Sequence, residues 1–218
     1  MHARLLKIFE DPAVGLYLAT NDDYTLIPRN LPEETKKIIE NTLRTNLVEI
    51  SAGGYDILGA FTILTDNYVL VSNIYDEQEL NQLRQELDMA IYVVDSPVNV
   101  IANTILVHKN VVLLSYLYSE QLEQEMRKML GVEVERVRLG PVDIFAQYLL
   151  PMQEKLLVSP VFSKDEAKYF KQRLGLQELR FVTVNKGSYF IKSGIVYNSR
   201  GILLGALTTP VEYESILG

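Results

Sequence analysis

Apolar and polar positions along this chain follow one pattern, clearest in its last third. Phe190 to Asn198 alternates and is rich in β-branched and aromatic residues, Ser199-Arg200-Gly201 reads as a hairpin turn, and Ile202 to Leu204 returns as a short apolar strand. Thr209-Pro210-Val211-Glu212 then predicts a helix start, with Thr as cap, Pro at the first helical position and Glu three residues on.

The same order occurs four times upstream. The first unit predicts a strand over Val14-Gly15-Leu16-Tyr17-Leu18, a turn at Asn21-Asp22-Asp23 and a return strand from Tyr24 to Ile27. A helix follows from Asn30, with Thr35, Ile38, Ile39 and Leu43 on one face, then a third strand from Leu47 to Ile50. The second unit predicts strands over Ile57–Leu64 and Tyr68–Val71, a helix capped by Asp76 and boxed by Glu79, and a strand over Ile91–Val94. The third predicts Val100–Val107, Val111–Leu114, a helix from Ser119 stopped by Gly131, and Val134–Leu139. The fourth predicts Ile144–Leu150, Leu156–Val158, a helix from Ser163 boxed by Glu166 and ended by Gly175, and Leu179–Val184.

Caps at Asn30, Asp76, Ser119, Ser163 and Thr209 fall 43 to 46 residues apart, so five ββαβ units account for nearly all of the 218 residues. Their approximate bounds are 10–51, 52–96, 97–140, 141–185 and 186–218 together with 1–9. The last unit lacks a third strand, and the segment Leu5 to Phe9 is expected to supply it and close a ring. Each unit is too small to bury its own apolar face, so stability requires stacking all five in one domain around a pseudo-fivefold axis. A WD-type propeller has a similar period, but its blades are four strands without a helix, and this chain has no tryptophan. The class is α+β, built from α/β-type units.

Composition narrows the chemistry. Hydrophobic content of 48% with 22% charged residues is ordinary for a globular chain. Zero cysteines exclude disulfides and thiol catalysis, and suit a reducing cytoplasm. A net charge of −7 argues against broad phosphate neutralisation and favours a basic partner. No apolar run is long enough to span a bilayer, and no membrane partner is expected. The two histidines, His2 and His108, sit at the terminus and beside a hairpin turn, where His108 reads as solvated. Gly53-Gly54 followed by Gly59 precedes a strand where a dinucleotide motif needs a helix. Clustered metal ligands are lacking. These readings predict no catalytic residue, no metal and no cofactor.

Five ββαβ units around a pseudo-axis resemble the pentein fold. Within it the chain resembles the archaeal and eukaryotic translation initiation factor 6 family, through Thr183-Val184-Asn185-Lys186-Gly187-Ser188, Ser193-Gly194-Ile195-Val196-Tyr197-Asn198-Ser199-Arg200-Gly201, and Gly205-Ala206-Leu207-Thr208-Thr209. The resemblance implies a non-catalytic monomer that binds the large ribosomal subunit, on a basic ribosomal protein near the sarcin–ricin loop. There it would sterically block joining of the small subunit and take part in large-subunit maturation. Release in that family involves a GTPase and a maturation cofactor. The candidate ribosome-binding residues are Gly15, Gly59, Ala60, Ala102, Asn103, Tyr148 and Gly194, on segments expected to gather near the axis. Two rival readings remain. One is a pentein hydrolase using carboxylates such as Asp56 and Asp143 on guanidino compounds. The other is an interaction module for a different basic partner.

Overall fold

Helix starts are set locally. Asp76, Ser163 and Thr209 each accept a hydrogen bond from the backbone N–H three residues on, and Glu79, Glu166 and Glu212 complete the capping boxes. These helices, with two more, lie outside five three-stranded sheets. The computed structural model describes residues 2–138 and 143–218.

Strand β1 (His2–Leu6) comes first. The first unit contains α1 (Val14–Tyr17), β2 (Ala19–Thr20), β3 (Tyr24–Pro28), α2 (Glu33–Leu43) and β4 (Asn46–Ile50). The second has α3 (Leu58–Phe61), β5 (Thr62–Leu64), β6 (Tyr68–Ser72), α4 (Glu77–Glu86) and β7 (Ala90–Val94). The third has α5 (Ile101–Thr104), β8 (Ile105–His108), β9 (Val111–Ser115), α6 (Glu120–Leu130) and β10 (Glu133–Val137). The fourth opens with a 3-10 helix (Phe145–Tyr148), followed by β11 (Leu149–Met152), β12 (Lys155–Val158), α7 (Lys164–Arg173) and β13 (Glu178–Phe181). The fifth has α8 (Ile191–Gly194), β14 (Ile195–Tyr197), β15 (Gly201–Gly205) and α9 (Pro210–Leu217).

In every sheet the second strand is central, antiparallel to the first and parallel to the third. In the fifth sheet the third strand is β1, parallel to β15 with His2 opposite Gly201 and Leu6 opposite Gly205. The N-terminal segment thus completes the last unit, as expected. It does so three residues earlier than the apolar pattern suggested, because Phe9 and Glu10 turn through positive φ and Ile8 bridges back to Asp11.

The core lies in the seams. Leu26, Val48 and Ile50 of the first unit pack with Leu58, Val69 and Leu83 of the second. The other four clusters likewise join neighbouring units, ending with Ile27, Ile39 and Leu43 against Val196 and Leu203. No unit buries its apolar face without its neighbour, as the repeat argument requires.

The structure corrects three expectations. The first strands predicted from Val14, Ile57, Val100, Ile144 and Phe190 all open with one helical turn, and extended structure starts only afterwards. A four-residue turn is too short to show a helical period, and with Val14, Leu58, Ile101, Phe145 and Ile191 buried at their first positions, each run reads equally as the start of a buried strand. The first long helix starts after Pro32 rather than at Asn30, which has a φ of 63° and belongs to the preceding turn. The third strands of units three and four end at Val137 and Phe181, and Val184 instead bridges Ser188. Leu139 and the boundary expected at 140 and 141 lie outside the described residues.

Candidate functional site

The five short helices make the innermost layer. α1 packs on α3 and α8, α3 on α5, and the 3-10 helix on both α5 and α8, so they close a ring of their own around the axis. Their second positions are Gly15, Gly59, Ala102, Ala146 and Lys192. A Cβ on Gly59 would lie 2.1 Å from the Gly15 carbonyl oxygen, and one on Gly15 would lie 2.0 Å from that of Lys192. Only glycine allows the backbones this close.

The sequence-derived candidates Gly15, Gly59, Ala60, Ala102, Asn103, Tyr148 and Gly194 all fall on this ring. Ala60, Ala102, Tyr148 and Gly194 are buried, while Gly15, Gly59 and Asn103 keep partial exposure. A Cβ on Gly194 would meet the Val184 side chain at 2.5 Å. Burial pushes the Tyr148 hydroxyl pKa up, and the Tyr148 ring stacks on Phe190 at 5.3 Å between centroids.

Lys192 breaks the small-residue rule. Its Nζ donates to the Ala102 carbonyl oxygen at 2.7 Å, on a helix that is not its neighbour in the ring. The side chain therefore crosses the axis. Burial lowers its pKa from 10.5 to about 8.

Loops leading into the short helices carry exposed aromatics that sequence reasoning missed: Phe9, Tyr55, Tyr189 and Phe190. Tyr55 and Tyr189 are 57% and 53% exposed. Tyr116, Leu117 and Leu207 project from the loops before α6 and α9, at this same end of the ring. Two capping-box glutamates hold the loops in place. Glu79 accepts from the backbone N–H of Gly53 at 2.7 Å and of Gly54 at 3.1 Å, and from Ser51 Oγ at 2.8 Å. Glu212 accepts from the Gly187 and Lys186 N–H at 2.7 and 3.1 Å, and from Thr183 Oγ1 at 2.9 Å. Burial raises the Glu212 pKa, but hydrogen bonds from Thr209, Gly187 and Thr183 outweigh it and leave the carboxyl below its ordinary value.

The opposite end consists of hairpin turns. Asn21 Nδ2 donates to the Thr65 carbonyl at 2.8 Å, Asp22 accepts from the Ser199 N–H at 2.8 Å, and Asn198 Nδ2 donates to the carbonyls of Asn21 and Leu43. Between the two ends lies an axial cavity of about 670 Å³, from Gly15, Gly59, Ala102 and Lys192 to the hairpin turns. His108 lines it and is half-buried rather than solvated; its Nε2 has no partner among the described residues. Burial, then Lys109, pushes its pKa down against the pull of Glu154, so it is neutral at pH 7. Asp56 and Asp143 are exposed and do not line the cavity. Among the described residues no cluster of potential metal ligands occurs, and no helix is long and apolar enough to cross a membrane.

The sequence matches the eIF-6 family over residues 3–217. It is 31% identical over 215 residues to translation initiation factor 6 of Pyrobaculum arsenaticum, covering 97% of this chain and 95% of that one. The protein of the same name from Saccharolobus islandicus is 32% identical over 214 residues, covering 97% and 96%. Among solved structures, the N-terminal domain of ArgZ bound covalently to a reaction intermediate matches with a TM-score of 0.58 at 16% identity, covering 83% of this chain and 72% of that one. A dimethylarginine dimethylaminohydrolase adduct with S-methyl-L-thiocitrulline matches with a TM-score of 0.53 at 12% identity, covering 84% and 82%. The fold shared with these structures is the pentein ring.

Proposed function

The chain belongs to the eIF-6 family, and from this premise we propose that it binds the large ribosomal subunit with the helix end of its ring and keeps the small subunit from joining. The observation that carries this reading is the gathering of exposed aromatics at one end of a closed ring whose other end is polar. Interface cores are enriched in aromatic residues that bury large area at little entropic cost. The ring holds this face preformed, so little ordering entropy is lost on docking.

In this reading Asn103, Tyr55, Tyr189 and Phe190 make contact. Gly15, Gly59, Ala60, Ala102, Tyr148 and Gly194 form the ring that presents them. The partner is a basic ribosomal protein near the sarcin–ricin loop, matched by the chain's net charge of −7. The mechanism is steric and needs no catalysis, consistent with a chain that has no cysteine nucleophile. The factor acts in the cytoplasm as a monomer, contributes to large-subunit maturation, and is released by a GTPase with a maturation cofactor.

Co-sedimentation with isolated subunits tests this. The protein should migrate with the large subunit alone and reduce the yield of joined ribosomes. The double variant Asn103→Ala, Phe190→Ala should bind at least about tenfold more weakly with an unchanged thermal melt. Migration with neither subunit, or with the small one, would overturn the proposal.

A further inference from the structure

Four of the five second positions on the short-helix ring are glycine or alanine, because backbones approach closely there. The fifth is Lys192, whose ammonium lies at the inner end of the axial cavity with one backbone carbonyl as its partner. Among the described residues it forms no ion pair. The two carboxylates lining the cavity belong to Asp22 and Asp66, at the hairpin end, where each already accepts a backbone N–H. An ammonium withdrawn from bulk water without a counter-charge is costly. Burial accordingly pulls its pKa down to about 8, which leaves it mostly charged at pH 7.

Between the ammonium and the hairpin turns the wall is mixed, with Thr20, Thr62, Thr65 and His108 beside an aliphatic layer. Ala19, Ile63, Leu106, Leu150 and Val196, one from each unit, line the cavity at equivalent strand positions. The cavity's volume of about 670 Å³ lies within the range that holds small organic ligands, which favour apolar walls with a few placed polar groups. We propose that the axial cavity binds a small organic carboxylate, entering between the hairpin turns, with its head group on the Lys192 ammonium and its apolar body against this aliphatic layer. The aliphatic layer distinguishes this ligand from inorganic phosphate, which has no body to bury. The site opens away from the helix end, so the assignment does not depend on ribosome binding.

Titration of the full-length protein with acetate, butyrate, hexanoate and inorganic phosphate tests the assignment, read by calorimetry and by the NMR signal of the Lys192 side-chain nitrogen in lysine-labelled protein. Affinity should rise about fourfold per added methylene, phosphate should bind no better than acetate, and hexanoate should shift the Lys192 signal. Lys192→Met should abolish the binding, and Lys192→Arg should retain part of it. Affinity independent of chain length, binding that survives in Lys192→Met, preference for phosphate, or no saturable binding with an unmoved Lys192 signal would each overturn the proposal.

Discussion

The two ends of the ring are built from the same five repeats and differ in almost every physical respect. At the helix end, backbones come close enough to require Gly15 and Gly59, loops are tied down by buried glutamates, and aromatic side chains remain in solvent. At the hairpin end the tips are polar, and Asn21, Asp22, Asn198 and Arg200 bridge the turns of units five, one and two. A pseudo-symmetric fold fixes where equivalent residues stand. The sequence alone decides which end is sticky and which is solvated. The same contrast appears within one ring position, where four small residues make close contacts and Lys192 spans the axis.

Changes at the helix end should therefore be the more damaging. Gly59→Val places side-chain atoms where even a Cβ would clash with two carbonyl oxygens, at 2.1 and 2.6 Å. It should cost at least about 3 kcal/mol, seen in denaturant unfolding as a shifted midpoint or loss of the folded state. Lys192→Met should act in the opposite direction. With a native pKa of about 8 against 10.5, the unfolded chain holds this proton more tightly, so the lysine costs the native state up to about 3 kcal/mol at pH 7. Without added carboxylates, the variant should be more stable than the parent at pH 7. The gap should narrow between pH 8 and pH 10.5 as the parent recovers stability, and unfolding curves at both limits check the sign.

Glu212→Gln should cost about 2 kcal/mol through loosening of the 183–187 loop. The native carboxyl has a depressed pKa, so its stabilisation is present above the ordinary value of 4.5 and fades as pH falls through the lower native value. The variant should lose less stability than the parent on acidification, and a pH series of thermal melts would show it. The smallest effect belongs to the hairpin end. Arg200→Ala removes exposed contacts to Asp23 and to the carbonyls of Asp22 and Arg44, and should cost under about 1 kcal/mol. It should leave large-subunit co-sedimentation unchanged. A strong binding loss here would assign docking to the wrong end.

What the sequence made legible was local. Asp76 with Glu79, Ser163 with Glu166 and Thr209 with Glu212 are three residues apart, so the helix starts follow from short-range chemistry. Hairpin turns and the need for a closing strand followed from the repeat. The short helices were hidden because Leu58, Ala60 and Phe61 are apolar and buried, which reads equally as strand. The second role of Glu79 and Glu212, clamping loops about 26 residues upstream, has no local signature. Lys192 meets its partner Ala102 from 90 residues away, and the sequence showed it only as one charge between Ile191 and Ser193. The family resemblance named residues that fall on the short-helix ring but not the aromatic loops around it, whose exposure depends on which end the folded chain presents.

The parallel pairing of β1 with β15 also sets an order in time. Strand β1 is synthesised before all four units that separate it from its partner β15, so the fifth sheet must wait until those units have been made. At about 5–20 residues per second, His2–Leu6 spends on the order of ten seconds or more without its permanent neighbour. During that interval the seam of Leu6, Ile8 and Val14 with Val196 and Leu203 stands open to solvent and to other nascent chains. Once formed, the pairing links the first and last parts of the chain as a latch, and neither can peel away without breaking the seam that holds both.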